Sequence, residues 1–552
     1  MKRNIFTLLI LFSISVMGFG QSQRLVLLEH FTQASCGPCA GVNPQLKALL
    51  NANPDKLTAI MVHTSWPGYD PMYNHNVSDN GNRTSYYSVN SVPNSVLDGN
   101  FFNGHPNNWN ISTVDARLEV PSPFELQIQM DLSPDEEVVY ATMLIHATQD
   151  VEDGLRAYMT VIEKLIQFSS APGSNGETQF NNVMKKILPK QSGYSMPAMS
   201  AGEYIIIESS WVHQNVYTIS ELALVGFIQD GTSKEVHQAA PSSTIVPLYN
   251  LDVDLKDVSN YSNYSCNGII QPLIEIRNNG STEITSLEIS YTINGGDPIL
   301  KQWTGNLGLL EKETVSLDES TFTVEDMNNL EISLNNPNGS TDDYLANNSR
   351  IIEIERAIHA TAPMTLLLKT DANPQETTWE VVSSSGEVIQ EGGPYTNANQ
   401  VHFESIEISS SDCYTFYIYD AGGDGLIGGQ VILADADNNS ILQESSFGPL
   451  AQTQFSVLFE GLEELSSVEN FDVYPNPVTD NANLNINLLS QSNVSYFVSD
   501  LLGQKIISVD LGSVSSGNRN YMIDFEGQKP GVYFISIEVN GVSTSKKILL
   551  SN

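Results

Sequence analysis

Two cysteines three residues apart, Cys36 and Cys39, are the residues of this 552-residue sequence best suited to covalent chemistry. Gly37 and Pro38 lie between them. The apolar run Leu25–Phe31 leads into the pair and reads as a strand, and Ala40–Leu50 follows with apolar residues at helical spacing. Cys36 is thereby expected at a helix N-terminus. The positive end of the helix dipole lowers the pKa of a thiol there and favours the nucleophilic thiolate. Cys39, one turn on, can resolve a mixed disulfide formed at Cys36. The plainer alternative is a static disulfide. Zinc would need four ligands, and neither a second CxxC nor a spaced His pair completes the set, so no metal is expected.

Other candidates are weaker. Glu29 and His30 precede Cys36 by a few residues, and either could move a proton near a dithiol. Neighbours on a strand point to opposite faces, so at most one can serve. His63 reads as a core or strand-end histidine. Asp420-Ala-Gly-Gly-Asp424-Gly425 has acids spaced by glycines, as calcium loops do, but only two are within reach, so it reads as a polar hairpin turn. Cys266 and Cys413 are isolated and far apart in sequence and read as buried small hydrophobes. Nucleophile elbows, phosphate loops and HExxH are absent, which leaves hydrolase and nucleotide-binding classes without support.

The elements around these residues belong to a long, acidic chain. A net charge of −39 argues against nucleic acid as a partner, because phosphates would be repelled. The length implies three to five domains. Met1-Lys-Arg, the apolar stretch Ile5–Val16 and Gly18-Phe-Gly20 form an export signal over residues 1–20. No later run approaches the ~20 apolar residues of a transmembrane helix. The protein is expected outside the cell or on its surface.

Beyond the dithiol, Leu57–Thr64 reads as a second buried strand, 69–90 as a polar stretch with a short helix, and Val92-Pro93 as an X-Pro pair before a short strand. From 121 to 241 strands dominate, at Phe124–Met130, Val138–His146, Tyr158–Phe168, Glu203–Trp211 and Leu222–Gln229. Alternating strands and turns continue to the end, including Thr377–Val382 and Cys413–Tyr419.

Together, Cys36-Gly-Pro-Cys39, the strand–helix setting and Val92-Pro93 resemble the thioredoxin superfamily over roughly the first hundred mature residues. The resemblance implies a cis-proline at Pro93 facing the dithiol, with Val92 and Pro93 pairing to an extended substrate by strand addition. It also marks departures: Ser35 stands where thioredoxins carry tryptophan, and His30 where they carry a buried aspartate. Asn181–Pro189 is similar to a segment of exported outer-membrane proteins that couple a thioredoxin-like unit to a β-sandwich. Pro272–Gly280 and Leu287–Gly296 resemble immunoglobulin-like modules. Val473-Tyr-Pro-Asn-Pro-Val, Leu501-Leu-Gly-Gln, Gly531–Gly541 and Lys546-Lys-Ile-Leu-Leu occur in the order of a type A C-terminal sorting domain of type IX secretion.

The expected architecture is multidomain. A signal peptide (1–20) precedes an α/β thioredoxin-like domain (21–118). Then come a β-sandwich (119–245), an immunoglobulin-like sandwich (246–358), a further β-sandwich (359–462) and the sorting domain (466–552). The expected function is thiol–disulfide exchange by a secreted or outer-membrane-attached protein, which would make it a thiol–disulfide oxidoreductase needing no cofactor. Its partners would be the secretion machinery, protein thiols or disulfides, and a surface polysaccharide as attachment. The alternative is a non-enzymatic surface adhesion or binding protein with an inert Cys36–Cys39 disulfide.

Overall fold

The computed structural model describes residues 22–459, 468–501 and 503–551. The export signal at 1–20 lies outside them. Two compact units divide after residue 248.

The first unit opens as the spacing predicts: β1 (Val26–Thr32), α1 (Gly37–Ala52) and β2 (Leu57–His63). The polar stretch forms two helices, α2 (Pro71–His75) and α3 (Val77–Tyr86), and β3 (Asn94–Leu97), β4 (Phe102–Gly104) and α4 (Ile111–Leu118) follow. Then come β5 (Phe124–Leu132), β6 (Val138–Ala147), β7 (Leu155–Gln167), β8 (Gln179–Leu188), the short β9 (Tyr194–Ser195), β10 (Tyr204–Val212), β11 (Leu222–Asp230) and β12 (Val236–Pro241).

One sheet in the order β12-β11-β7-β8-β2-β1-β3-β4 carries most of these strands, with β9 beside β7. β1, β2 and β8 run parallel, whereas β3 is antiparallel to β1 and β7 to β8. The sheet therefore spans the boundary placed at 118/119 in sequence, because β8 pairs with β2 across more than a hundred residues. β10-β6-β5 form a second sheet.

Every residue of β1 is buried, as a central strand covered on both faces requires. Val26 and Leu28 pack with Leu46 of α1 and Val114 of α4. Leu27 and Phe31 point the other way, toward Tyr87, Tyr158 and Phe227. Glu29 and His30 obey the same alternation. Glu29 is buried beneath α3, where both of its oxygens bond Arg83 at 2.7 and 2.6 Å and Oε2 accepts from the Tyr87 hydroxyl. His30 faces α1.

The second unit is all β. Strands 253–259, 273–278 and 312–316 face a five-stranded sheet around one apolar core. Strands of 359–457 form a five- and a four-stranded sheet around another, which includes Trp379 and Phe416. Residues 468–550 form three- and four-stranded sheets around a third. Cys266 and Cys413 are not unpaired apolar residues as expected: they form a disulfide that ties the first two of these sandwiches. The contact is invisible along the chain because 147 residues separate them. Gln454, opposite Thr415 in the sheet, bonds across the same place: its Oε1 accepts from the Cys266 N–H at 3.1 Å while its own N–H donates to Ser262 Oγ. Among the described residues no helix is long and apolar enough to cross a membrane.

Candidate redox site

β1 ends at Thr32, and four residues later Cys36 caps α1 with an extended backbone (φ −90°, ψ 106°). Pro38 sits within the first helical turn, where its missing N–H costs nothing. Cys36 and Cys39 are joined as a disulfide with Cα atoms 5.3 Å apart. Cys36 Sγ accepts from the Cys39 N–H at 3.1 Å, an N–H shared with the Cys36 carbonyl oxygen, so a donor of the helix start points at the N-terminal sulfur. The same sulfur lies 3.7 Å from the Val92 carbonyl oxygen, and the Val92–Pro93 peptide is cis. The four residues singled out in sequence thus meet at one place.

Neither sulfur is open to water. Cys36 is 2% exposed and Cys39 fully buried, so Cys36 is the outer of the two. Two loops cover it. In the loop before α2, Gly68 O accepts from Gln33 Nε2 at 2.5 Å and Tyr69 O accepts from Ser35 Oγ at 2.8 Å. The loop joining β7 to β8 lies across the other side. The Asn175 N–H donates to Ala34 O, its side-chain amide to Gln33 O and Cys36 O, and the Ser174 N–H to Ser35 Oγ. Gly173 is needed there, since a Cβ would come within 2.2 Å of the Ala34 oxygen.

Behind the dithiol is a polar network. Asn43, one turn after Cys39 on the same helix face, donates to Glu177 Oε1 at 2.9 Å and to Thr32 Oγ1 at 3.0 Å. Its Oδ1 faces His30 Nε2 at 3.2 Å, and His30 Nδ1 lies 3.1 Å from Ser95 Oγ. A neutral ring satisfies both contacts, with Nε2–H donating and Nδ1 accepting the Ser95 hydroxyl. Burial lowers the His30 pKa to about 4, with neighbouring histidines adding to the effect against the pull of Asn43. Burial lifts the Glu177 carboxyl above its ordinary value, although Asn43 and Asn175 stabilise its charge. His63 ends β2 and bonds Asp70 at 2.7 Å, and Asp70 also accepts from Ala34 N–H and caps α2. Burial would raise the Asp70 pKa, but His63 and these N–H groups together hold it below the carboxylate range.

Sequence reasoning missed Asn43, Asp70, Asn175 and Glu177. The first could have been found by its spacing from Cys39; the last two lie in a stretch that reads only as a Gly-rich loop.

Residues 472–551 match the family described as a secretion system C-terminal sorting domain. The chain is therefore a type IX secretion substrate, exported to be released or held at the cell surface. No curated protein matches the chain in sequence. Among solved structures, HBP35 of Porphyromonas gingivalis is 13% identical with a TM-score of 0.34, over 61% of this chain and 99% of that one. The CARDB domain of the PF1109 protein from Pyrococcus furiosus is 20% identical with a TM-score of 0.17, over 21% and 95%. A biofilm-associated protein BSP domain is 10% identical with a TM-score of 0.14, over 78% and 96%. At identities and TM-scores this low, none of the three bears on fold, ligand or partner.

Proposed function

We propose that the first unit is a thioredoxin-like thiol–disulfide exchange unit carried outside the cell by type IX secretion. Outside the cell the pair rests oxidised. A substrate thiolate attacks Cys36 Sγ and expels Cys39 as thiolate; a second substrate thiolate then breaks the mixed disulfide. The substrate leaves with a new disulfide, and two electrons remain on the Cys36–Cys39 dithiol. Run backward, the same steps reduce a substrate disulfide. Val92 and Pro93 take the substrate backbone beside Cys36. The observation that carries this reading is the placement of Cys36 Sγ between the Cys39 N–H and the Val92 carbonyl. The sandwiches of the second unit, the first of immunoglobulin-like type, serve as spacers, with a surface polysaccharide as the anchor.

A second reading, a surface binding protein with an inert disulfide, draws on one observation: Cys36 is buried, with its carbonyl oxygen bonded by Asn175 of the β7–β8 loop. The two separate by measuring the reduction potential of the full-length exported chain and its exchange activity on a scrambled disulfide substrate, beside Cys36→Ser. Exchange lost in Cys36→Ser is expected. A potential below about −300 mV with no exchange would place the pair among structural disulfides and overturn the first reading.

A further inference from the structure

We propose that the second unit holds a calcium ion between Glu376, Asp420 and Asp424. In sequence only the last two lie together. The structure adds Glu376, 44 residues upstream of Asp420, because the strand 377–383 pairs antiparallel with 412–420. One carboxylate oxygen from each of the three lies within 4.8 Å of the others. Calcium binds oxygen at about 2.3–2.6 Å, so two ligands of one ion are at most about 5 Å apart. The separation is that of ligands around a shared cation.

The neighbouring atoms also call for a ligand. Glu376 Oε2 is buried with no hydrogen-bond partner. So is the hydroxyl of Thr377, a residue only 1% exposed. Thr377 stands directly opposite Asp420 in the register, and the Ala421 N–H donates to Glu376 O, which makes Thr377 and Asp420 a non-hydrogen-bonded pair with side chains close on one face. Buried polar atoms left without a partner are costly, and a cation beside Asp420 would supply one. Among the described residues no Lys or Arg pairs with any of the three carboxylates. Three negative charges therefore converge without a counter-charge.

The backbone is shaped around the same point. Asp420 Oδ2 accepts the N–H groups of Asp424 and Gly425, curling the loop back over the strand end. A Cβ at Gly422 would lie 2.4 Å from Glu376 Oε2 and 3.3 Å from Asp424 Oδ1, so a side chain there would push the carboxylates apart. A flexible, all-oxygen site of this kind suits calcium, which takes six to eight ligands, better than magnesium, which demands a rigid octahedron. Loop carbonyls and water would complete the shell. Extracellular calcium modules bind at about 0.1–1 mM, the range an exported protein would meet.

The test is calorimetric titration of the full chain with calcium chloride, alongside Asp424→Asn and Gly422→Ala. Asp424 is exposed and its variant keeps the loop's backbone bonds; Gly422→Ala keeps every charge but fills the space between the carboxylates. One calcium per chain is expected at this site, weakened about tenfold or more in each variant, with circular dichroism unchanged in Asp424→Asn. No binding up to about 10 mM, binding that both variants retain in full, or tighter binding of magnesium would each overturn the assignment.

Discussion

His30 gives the sharpest quantitative expectation. It is fully buried between β1 and α1, with its two nitrogens engaged by Asn43 and Ser95. An unfolded histidine titrates near 6.5, whereas in the folded chain burial lowers the value to about 4. Because the native value is the lower one, the unfolded state binds the proton first as pH falls. The neutral ring therefore costs nothing above the unfolded pKa, and stability is lost progressively between about pH 6.5 and pH 4. For one site with these two values, the change from about pH 7.5 to pH 4.5 is RT times the logarithm of a ratio of about 70, or about 2.5 kcal/mol. The measurement is hydrogen exchange of the β1 and β2 amides at both pH values, in wild type and in His30→Gln. Carboxylates contribute equally to both proteins, so the difference of the two pH differences isolates the ring. Wild type is expected to lose about 2.5 kcal/mol more than the variant. Equal losses within about 0.5 kcal/mol would show that His30 is not held neutral by burial, and the account of the network behind the dithiol would fall with it.

Gly173→Ala pushes a Cβ into the Ala34 carbonyl, and overpacking of about 1–2 kcal/mol should open the β7–β8 loop five- to thirtyfold more often. Reduction of Cys36–Cys39 by a small thiol should quicken accordingly; an unchanged rate would mean that this loop does not gate the sulfur. Arg83→Met leaves Glu29 charged and buried without its partner, and a loss of about 3–5 kcal/mol is expected in urea unfolding of the first unit. A loss under about 1 kcal/mol would refute the pairing as drawn. Replacing Cys266 and Cys413 with serine opens a link across 147 residues, worth up to about 5 kcal/mol by chain entropy. Unchanged melting of both flanking sandwiches would show that the link is not formed in the exported protein. Deleting 466–552 should stop the chain in the periplasm, and normal surface delivery of the truncation would contradict the sorting assignment.

Local chemistry determined what the sequence alone could settle. Apolar run, CxxC and helical spacing are neighbours in the chain, so β1, α1 and the capping position of Cys36 follow from propensity and dipole without tertiary help. Strand alternation likewise separated Glu29 from His30 before either could be seen. The C-terminal motifs were legible for the same reason, being ordered short stretches within one small sandwich.

What escaped were encounters between distant segments. β8 enters the sheet beside β2, and with it the β7–β8 loop brings Asn175 to the Cys36 carbonyl and Glu177 to Asn43. The Cys266–Cys413 disulfide joins segments 147 residues apart, and strand pairing carries Glu376 to Asp420. No periodicity or spacing encodes such meetings, because long-range pairing is selected by burial of the whole sheet rather than by the residues that happen to touch. The sequence therefore determined that a dithiol exists at a helix start. Only the tertiary structure decided that it lies covered, backed by a neutral histidine, and that three carboxylates converge elsewhere in the chain.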